Sequence, residues 1–144
     1  MQSRRFCEAL GISSEDKKLE LHLLGQGEYN VNYWFYHPKT KEKLVLRVNT
    51  GSQIHLDNQI LYEYETLKLL QNSKRTPRPI FADDEKTDIE YGIMVMEFLE
   101  GRPLNYHTDM KLAAECLADI HSVPIEKDSI LLSPKNCLRA ILDE

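Results

Sequence analysis

No stretch of the 144-residue sequence reaches the roughly 18 consecutive apolar residues of a membrane-spanning helix, so no membrane partner is expected. The N-terminus, MQSRRFCEALGISSEDKK, turns polar soon after its basic residues and lacks the apolar core of a secretory signal. Cysteine is scarce: Cys7, Cys116 and Cys137 are odd in number and far apart, which argues against a disulfide framework and fits a reducing compartment. The expected location is cytoplasmic. No Cys or His pair has zinc-ligand spacing. An excess of positive charge is missing too. The 18 basic and 23 acidic residues are mixed along the chain and leave a net charge of −5, so nucleic acid is not an expected partner. What remains is an ordinary globular composition, without repeats or low-complexity tracts, long enough for one domain or two small lobes with a real core.

Periodicity gives the order of elements. SRRFCEALGI places Phe6, Ala9 and Leu10 at helical spacing, and Gly11 is a fitting stop. LELHLLG alternates Leu19, Leu21 and Leu23 against Glu20, His22 and Leu24, as a half-buried strand does. NVNYWFYH is rich in β-branched and aromatic residues, and HPKTKEK turns it back into KLVLRVN, giving three consecutive antiparallel strands. Ile60, Leu61, Tyr64, Leu67, Leu69 and Leu70 then recur at helical spacing until SKRTPRP stops the helix. RPIFADD and YGIMVMEFLEG read as two more strands around DDEKTDIE, whose five acids suit a solvated hairpin tip better than a metal site. DMKLAAECLADIH is a helix with Asp109 as N-cap and with Leu112, Cys116 or Ala113, Leu117 and Ile120 inward. Ser133 and Pro134 open a last helix. The fold class is α+β.

The stretch LGQGEYNVNYWF carries the chemistry. Gly25 and Gly27 allow three readings: a hairpin turn, a dinucleotide-binding turn, or a loop over nucleotide phosphates. A dinucleotide turn needs a helix next, and here a strand follows. Arg47 stands inside the apolar strand LVLRV, on the face opposite Leu44, Leu46 and Val48. It is either a solvent-facing cation or one with a partner. Glu63 on the following helix is in register with Leu67 and Leu70, whereas Glu65 falls about 200 degrees around the helix, so Glu63 is the expected partner. In GIMVMEFLEGRPL a buried strand runs into a loop at Glu97, Phe98 and Leu99, where backbone donors and acceptors border an apolar slot.

Taken in order, LGQGEYNVNY, LVLRV, LYEYETLKLL, TPRPIF, MVMEFLEGRPL and LAAECLADIHS resemble the N-terminal lobe of the protein-kinase-like superfamily. The likeness is greater to the aminoglycoside phosphotransferase and choline kinase branch, and covers residues 19–122. The resemblance implies a five-stranded antiparallel sheet with one packed helix over residues 1–100, and residues 101–144 as a linker with the first helices of an incomplete helical C-lobe. It implies ATP and Mg²⁺ as cofactors. Gly25, Gly27 and the neighbouring backbone would cover the phosphates, with Asn30 at the place of the third glycine of protein kinases. Arg47, where protein kinases have a lysine, would touch the α- and β-phosphates and pair with Glu63. The Glu97 carbonyl and Leu99 N–H would hold the adenine edge, with Met96 beside it and Val45 on its face.

Two departures stand out. Asn32 replaces the valine that would give apolar cover to the adenine. The family's catalytic loop and later metal-binding aspartate should follow LADIHS, and these 144 residues contain neither. The expected function is therefore that of a phosphotransferase acting on a small-molecule hydroxyl, with base and metal ligands outside this chain, a missing C-lobe packed against it, and no turnover by this chain alone. The alternative is a non-catalytic nucleotide-binding or interaction module. His121 is expected to serve a helix C-terminus, Trp34 and the tyrosines strand packing, and Cys116 the core. His22, His37, His55 and His107 are assigned no role.

Overall fold

The computed structural model describes residues 4–13, 16, 18–51, 56–87 and 89–132. Five antiparallel strands form one sheet: β1 (His22–Gln26), β2 (Asn30–Tyr36), β3 (Lys43–Asn49), β4 (Pro79–Asp83) and β5 (Gly92–Glu97), in the order β1-β2-β3-β5-β4. The two middle ladders are regular, with Val45 opposite both Trp34 and Met96, and Arg47 opposite both Asn32 and Met94. Among the described residues three helices accompany the sheet: α1 (Arg4–Ala9), α2 (Gln59–Leu70), continued by a 3₁₀ turn at Gln71–Ser73, and α3 (Met110–His121). The helix expected from Ser133 lies outside the described residues.

Alternation along β3 divides the sheet into two faces. On one, Phe35, Leu44, Leu46, Ile93 and Val95 form the main apolar core, closed by Phe6, Leu10 and Ile12 from α1 and the turn after it. The Phe6 ring lies 6.2 Å from Phe35 and 6.4 Å from Phe81. Gly11 ends α1 at φ +63°, and Gly11 and Ile12 donate back to the carbonyls of Glu8 and Cys7, a glycine C-cap as the sequence suggests. Ala9, expected inward, is exposed. The buried ring of His37 holds this layer in place. Its Nε2 lies 2.8 Å from the Leu10 carbonyl, and its Nδ1 accepts from the N–H groups of Lys39 and Thr40. One uncharged tautomer, with the proton on Nε2, satisfies all three bonds.

The opposite face carries Val45, Arg47, Met94 and Met96, and α2 packs there through the fully buried Ile60. Leu61, expected on the buried stripe, is exposed. Gly92 lets Ile60 approach: a Cβ there would run into both Ile60 Cγ1 and Asp84 Oδ1. DDEKTDIE is thus not wholly a solvated tip, because the Asp84 side chain is buried beneath it. Arg5 also reaches into this turn and pairs with Asp83 and Glu85.

The first strand departs most from its pattern. It begins at His22 rather than Leu19, and a bulge between Leu23 and Gly25 breaks the alternation. Leu23 and Leu24 on this edge strand and Leu21 just before it are exposed, and Leu19 alone of the alternating leucines packs against the core. On α3, Ala113, Cys116 and Ile120 are half-buried, while Leu112 and Leu117, expected inward, are exposed. His121 ends α3 exposed to solvent.

Candidate functional site

The α2-facing side of the sheet gathers the polar and the apolar halves of the expected site in adjacent cross-strand rows. Gly25, Asn32, Arg47 and Met94 make one row, and Trp34, Val45 and Met96 the next. Arg47 Nε lies 2.9 Å from Glu63 Oε2, and Nη2 lies 3.5 Å from Oε1. Both side chains are only 26% and 23% exposed, so solvent screens this contact less than a surface pair. Gln59 Nε2 donates to Glu63 Oε1 at 2.9 Å and steadies the carboxylate from one turn earlier. Glu65 instead meets Lys68, as the helix register predicts.

This pairing leaves polar capacity unspent. The Arg47 Nε–H, close as it is to Glu63, is not aimed at an oxygen, and Asn32 Oδ1, its register partner, is buried without a hydrogen bond among the described residues. A buried donor and a buried acceptor left without hydrogen bonds in one cross-strand row are costly unless something else satisfies them. Asn32 is therefore not merely a lost apolar contact. Apolar cover of Val45 from β2 comes from Trp34, its register partner, which the glycine-loop pattern does not reveal because strand register is not written in it.

The glycine hairpin is closed by its own backbone, with the Gly27 N–H donating to the Asn30 carbonyl at 2.9 Å. In this conformation that N–H is not free for a phosphate. Asn30 is buried, and its side-chain oxygen accepts from Asn49 Nδ2 at 3.1 Å, so it braces the hairpin against β3. A Cβ at Gly25 would meet nothing within 4 Å, and one at Gly27 only the Asn30 carbonyl at 3.9 Å. Neither glycine has a positive φ. Nothing inside the described residues thus requires glycine at either place. Gly27→Ala is expected to change stability by less than about 0.5 kcal/mol while weakening Mg-ATP binding about threefold or more. Melting curves and calorimetry on the same variant check both halves; a large loss of stability with unchanged binding would contradict the phosphate-cover role.

At the other end of β5, the Glu97 N–H donates to the Arg78 carbonyl at 2.9 Å, and Glu97 Oε2 accepts from the Arg78 N–H at 3.1 Å. Leu99 is exposed, and among the described residues its N–H donates to no backbone carbonyl. Met96 lines a largely apolar cavity of about 290 Å³ between sheet and α2, with Met94, Leu67 and Pro77 around it and Arg47 and Glu63 at its edge. Among the described residues, no three His, Cys, Asp or Glu side chains converge where a metal ion could be held. No helix among them is long and apolar enough to cross a membrane.

Between β5 and α3, the connector is fixed by Asp109. It occupies the N-cap position but does not cap α3 with its side chain. Its carboxylate accepts from Arg102 Nη1 at 2.6 Å and Nη2 at 3.0 Å, from the Asn105 N–H at 2.9 Å and from Thr108 Oγ1 at 3.0 Å. The Arg102 guanidinium, then the Asn105 N–H, hold its pKa down to about 2. A carboxylate with a lowered folded-state pKa stabilises the fold above its unfolded value, near 3.9, and that contribution disappears as pH falls through about 2. Asp109→Asn should therefore melt below wild type at pH 7. Melting at a series of pH values should show the gap closing between about pH 4 and pH 2.

The phosphotransferase enzyme family, APH, matches residues 20–135. A candidate aminoglycoside phosphotransferase from Ralstonia eutropha JMP134, known from its crystal structure, superposes with a TM-score of 0.48 and 20% identity over 68% of this chain. The match takes in 29% of that protein, so this chain spans less than a third of its length. Among curated proteins none matches the sequence. The five-stranded antiparallel sheet with α2 packed on it is the kinase-like N-lobe architecture. With the match running over most of the chain, this protein belongs to the phosphotransferase enzyme family.

Proposed function

We propose that this chain forms the nucleotide-binding part of an enzyme that moves the γ-phosphoryl group of Mg-ATP to a hydroxyl of a small molecule. The observation that carries the reading is the Arg47–Glu63 pair, set across the sheet from open glycines and next to unsatisfied Asn32. Glu63 and Gln59 hold the guanidinium over the sheet, and Arg47 meets the phosphates there. The Gly25–Gly27 hairpin covers them from the edge, its Gly27 N–H released from Asn30 when phosphate oxygens compete for it. Val45 and Met96 give the base an apolar surface, and the Glu97 carbonyl and Leu99 N–H its polar edge.

Mg²⁺ neutralises charge on the β- and γ-phosphates in such a transfer. The described residues supply no ligand set for it. In this reading residues 1–100 are the nucleotide-binding lobe, and residues 101–144 lead into a helical lobe that brings the base, the metal ligands and the acceptor site. Calorimetric titration of the chain with Mg-ATP, beside Arg47→Ala, tests it. Binding that depends on Arg47 supports the reading, and absence of binding by the wild-type chain opposes it.

A further inference from the structure

Lys43 opens β3 and shares its face with Val45 and Arg47, but belongs to neither the base row nor the phosphate row. Its Nζ lies 3.7 Å from the centroid of the Phe98 ring and 4.9 Å from that of Trp34, and 3.2 Å from Glu100 Oε1. The Trp34 ring is fixed in turn: His22 stacks on it at 4.1 Å and 18°, and Tyr36 meets it edge-on at 5.6 Å. One ammonium on the central strand thus joins Trp34 of β2 to Phe98 and Glu100, the residues on either side of Leu99. A cation between two aromatic rings is attracted by both, and the nearby carboxylate adds to the hold. Among the described residues no other hydrogen bond or ion pair reaches residues 98–101: Glu97 is secured by Arg78, and the next anchor is Arg102 with Asp109.

We propose that Lys43 is the positioning residue for the base-binding edge: by clamping Phe98 and Glu100 against Trp34, it sets where the Leu99 N–H stands relative to the Glu97 carbonyl, which Arg78 and the β3 ladder hold. The inference rests on the nucleotide-binding reading above and deepens it. It makes the effect of Lys43 specific to the nucleobase, because the phosphate groups are met at Arg47 and the glycine hairpin, which Lys43 does not touch. A merely structural lysine would weaken all ligands alike or none.

The test compares two probes, Mg-ATP and Mg-tripolyphosphate, the second carrying the phosphates without a base. Lys43→Met keeps the apolar stem and removes the charge. It should weaken Mg-ATP about fivefold and leave tripolyphosphate unchanged, with Lys43→Arg restoring most of the ATP affinity. Equal loss for both probes, or no loss for either, overturns the proposal while leaving the nucleotide-binding reading in place. If Lys43→Met does not fold, Phe98→Leu, which removes the ring and keeps the bulk, must give the same selective loss or the proposal fails. A wild-type chain that binds neither probe overturns the nucleotide-binding reading and this proposal with it.

Discussion

Arg47→Ala is expected to weaken Mg-ATP binding about tenfold or more, a loss of about 1.4 kcal/mol, while the domain stays folded. The two halves of this expectation have separate causes. Removing the guanidinium takes away the one cation on the α2-facing row that stands across from the glycine hairpin. The fold survives because Glu63 keeps the hydrogen bond from Gln59 and is not left as an isolated buried charge. Arg47→Lys should fall between wild type and alanine, since it keeps the charge but loses the planar fork. Glu63→Ala should weaken binding less than Arg47→Ala. If Glu63 acts only by orienting Arg47, the double variant should bind no worse than Arg47→Ala alone. Additive losses would show that Glu63 contributes through something other than the arginine. Calorimetry on the four proteins decides it.

The Arg47–Glu63 contact was legible because two simple periods intersect there. Strand alternation puts Arg47 opposite Leu44 and Leu46, and the leucine register of the next helix selects Glu63 over Glu65; both carry through to the structure. Gln59 lies one helical turn before Glu63 and could have been found by the same spacing. The part that sequence could not reach depends on pairing between strands. Which residue of β2 faces Val45 is a question of register, and the answer, Trp34, emerges only when β2 and β3 are laid side by side. The cluster of Lys43, Trp34 and Phe98 joins three segments whose separate patterns say nothing about one another.

Edges and loops were the least legible for a related reason. Alternation predicts burial only where a second layer covers the strand, and a bulge and an uncovered edge leave Leu23 and Leu24 of β1, and Leu21 just before it, exposed. The connector gave no periodic signal at all, so Asp109 read as an N-cap from its position, while its carboxylate is turned instead to Arg102. Composition likewise favoured a solvated turn at DDEKTDIE, but one of its acids is buried because Gly92 opens room beneath it.

Ile60→Ala should cost about 2–5 kcal/mol of stability, lowering the melting temperature by on the order of 10 °C, and should weaken Mg-ATP binding although Ile60 is not expected to touch the nucleotide. Ile60 is 0% exposed, and the only other buried residue on α2 is Gln59. The rest of the helix is half-buried at best, and its N-terminus has no side-chain cap. Much of what seats α2 on the sheet therefore passes through one side chain packed over Gly92. Truncating it leaves a cavity and frees the first turn, which carries Gln59 and, one turn on, Glu63. The guanidinium of Arg47 then loses its orientation as well as its partner. Ile60→Val, which removes a single methylene, should cost about 0.5–1.5 kcal/mol and leave binding nearly intact. If Ile60→Ala lowers the melting temperature but binds Mg-ATP as tightly as wild type, Arg47 reaches the phosphates without the help of α2, and the positioning role of Glu63 falls with it.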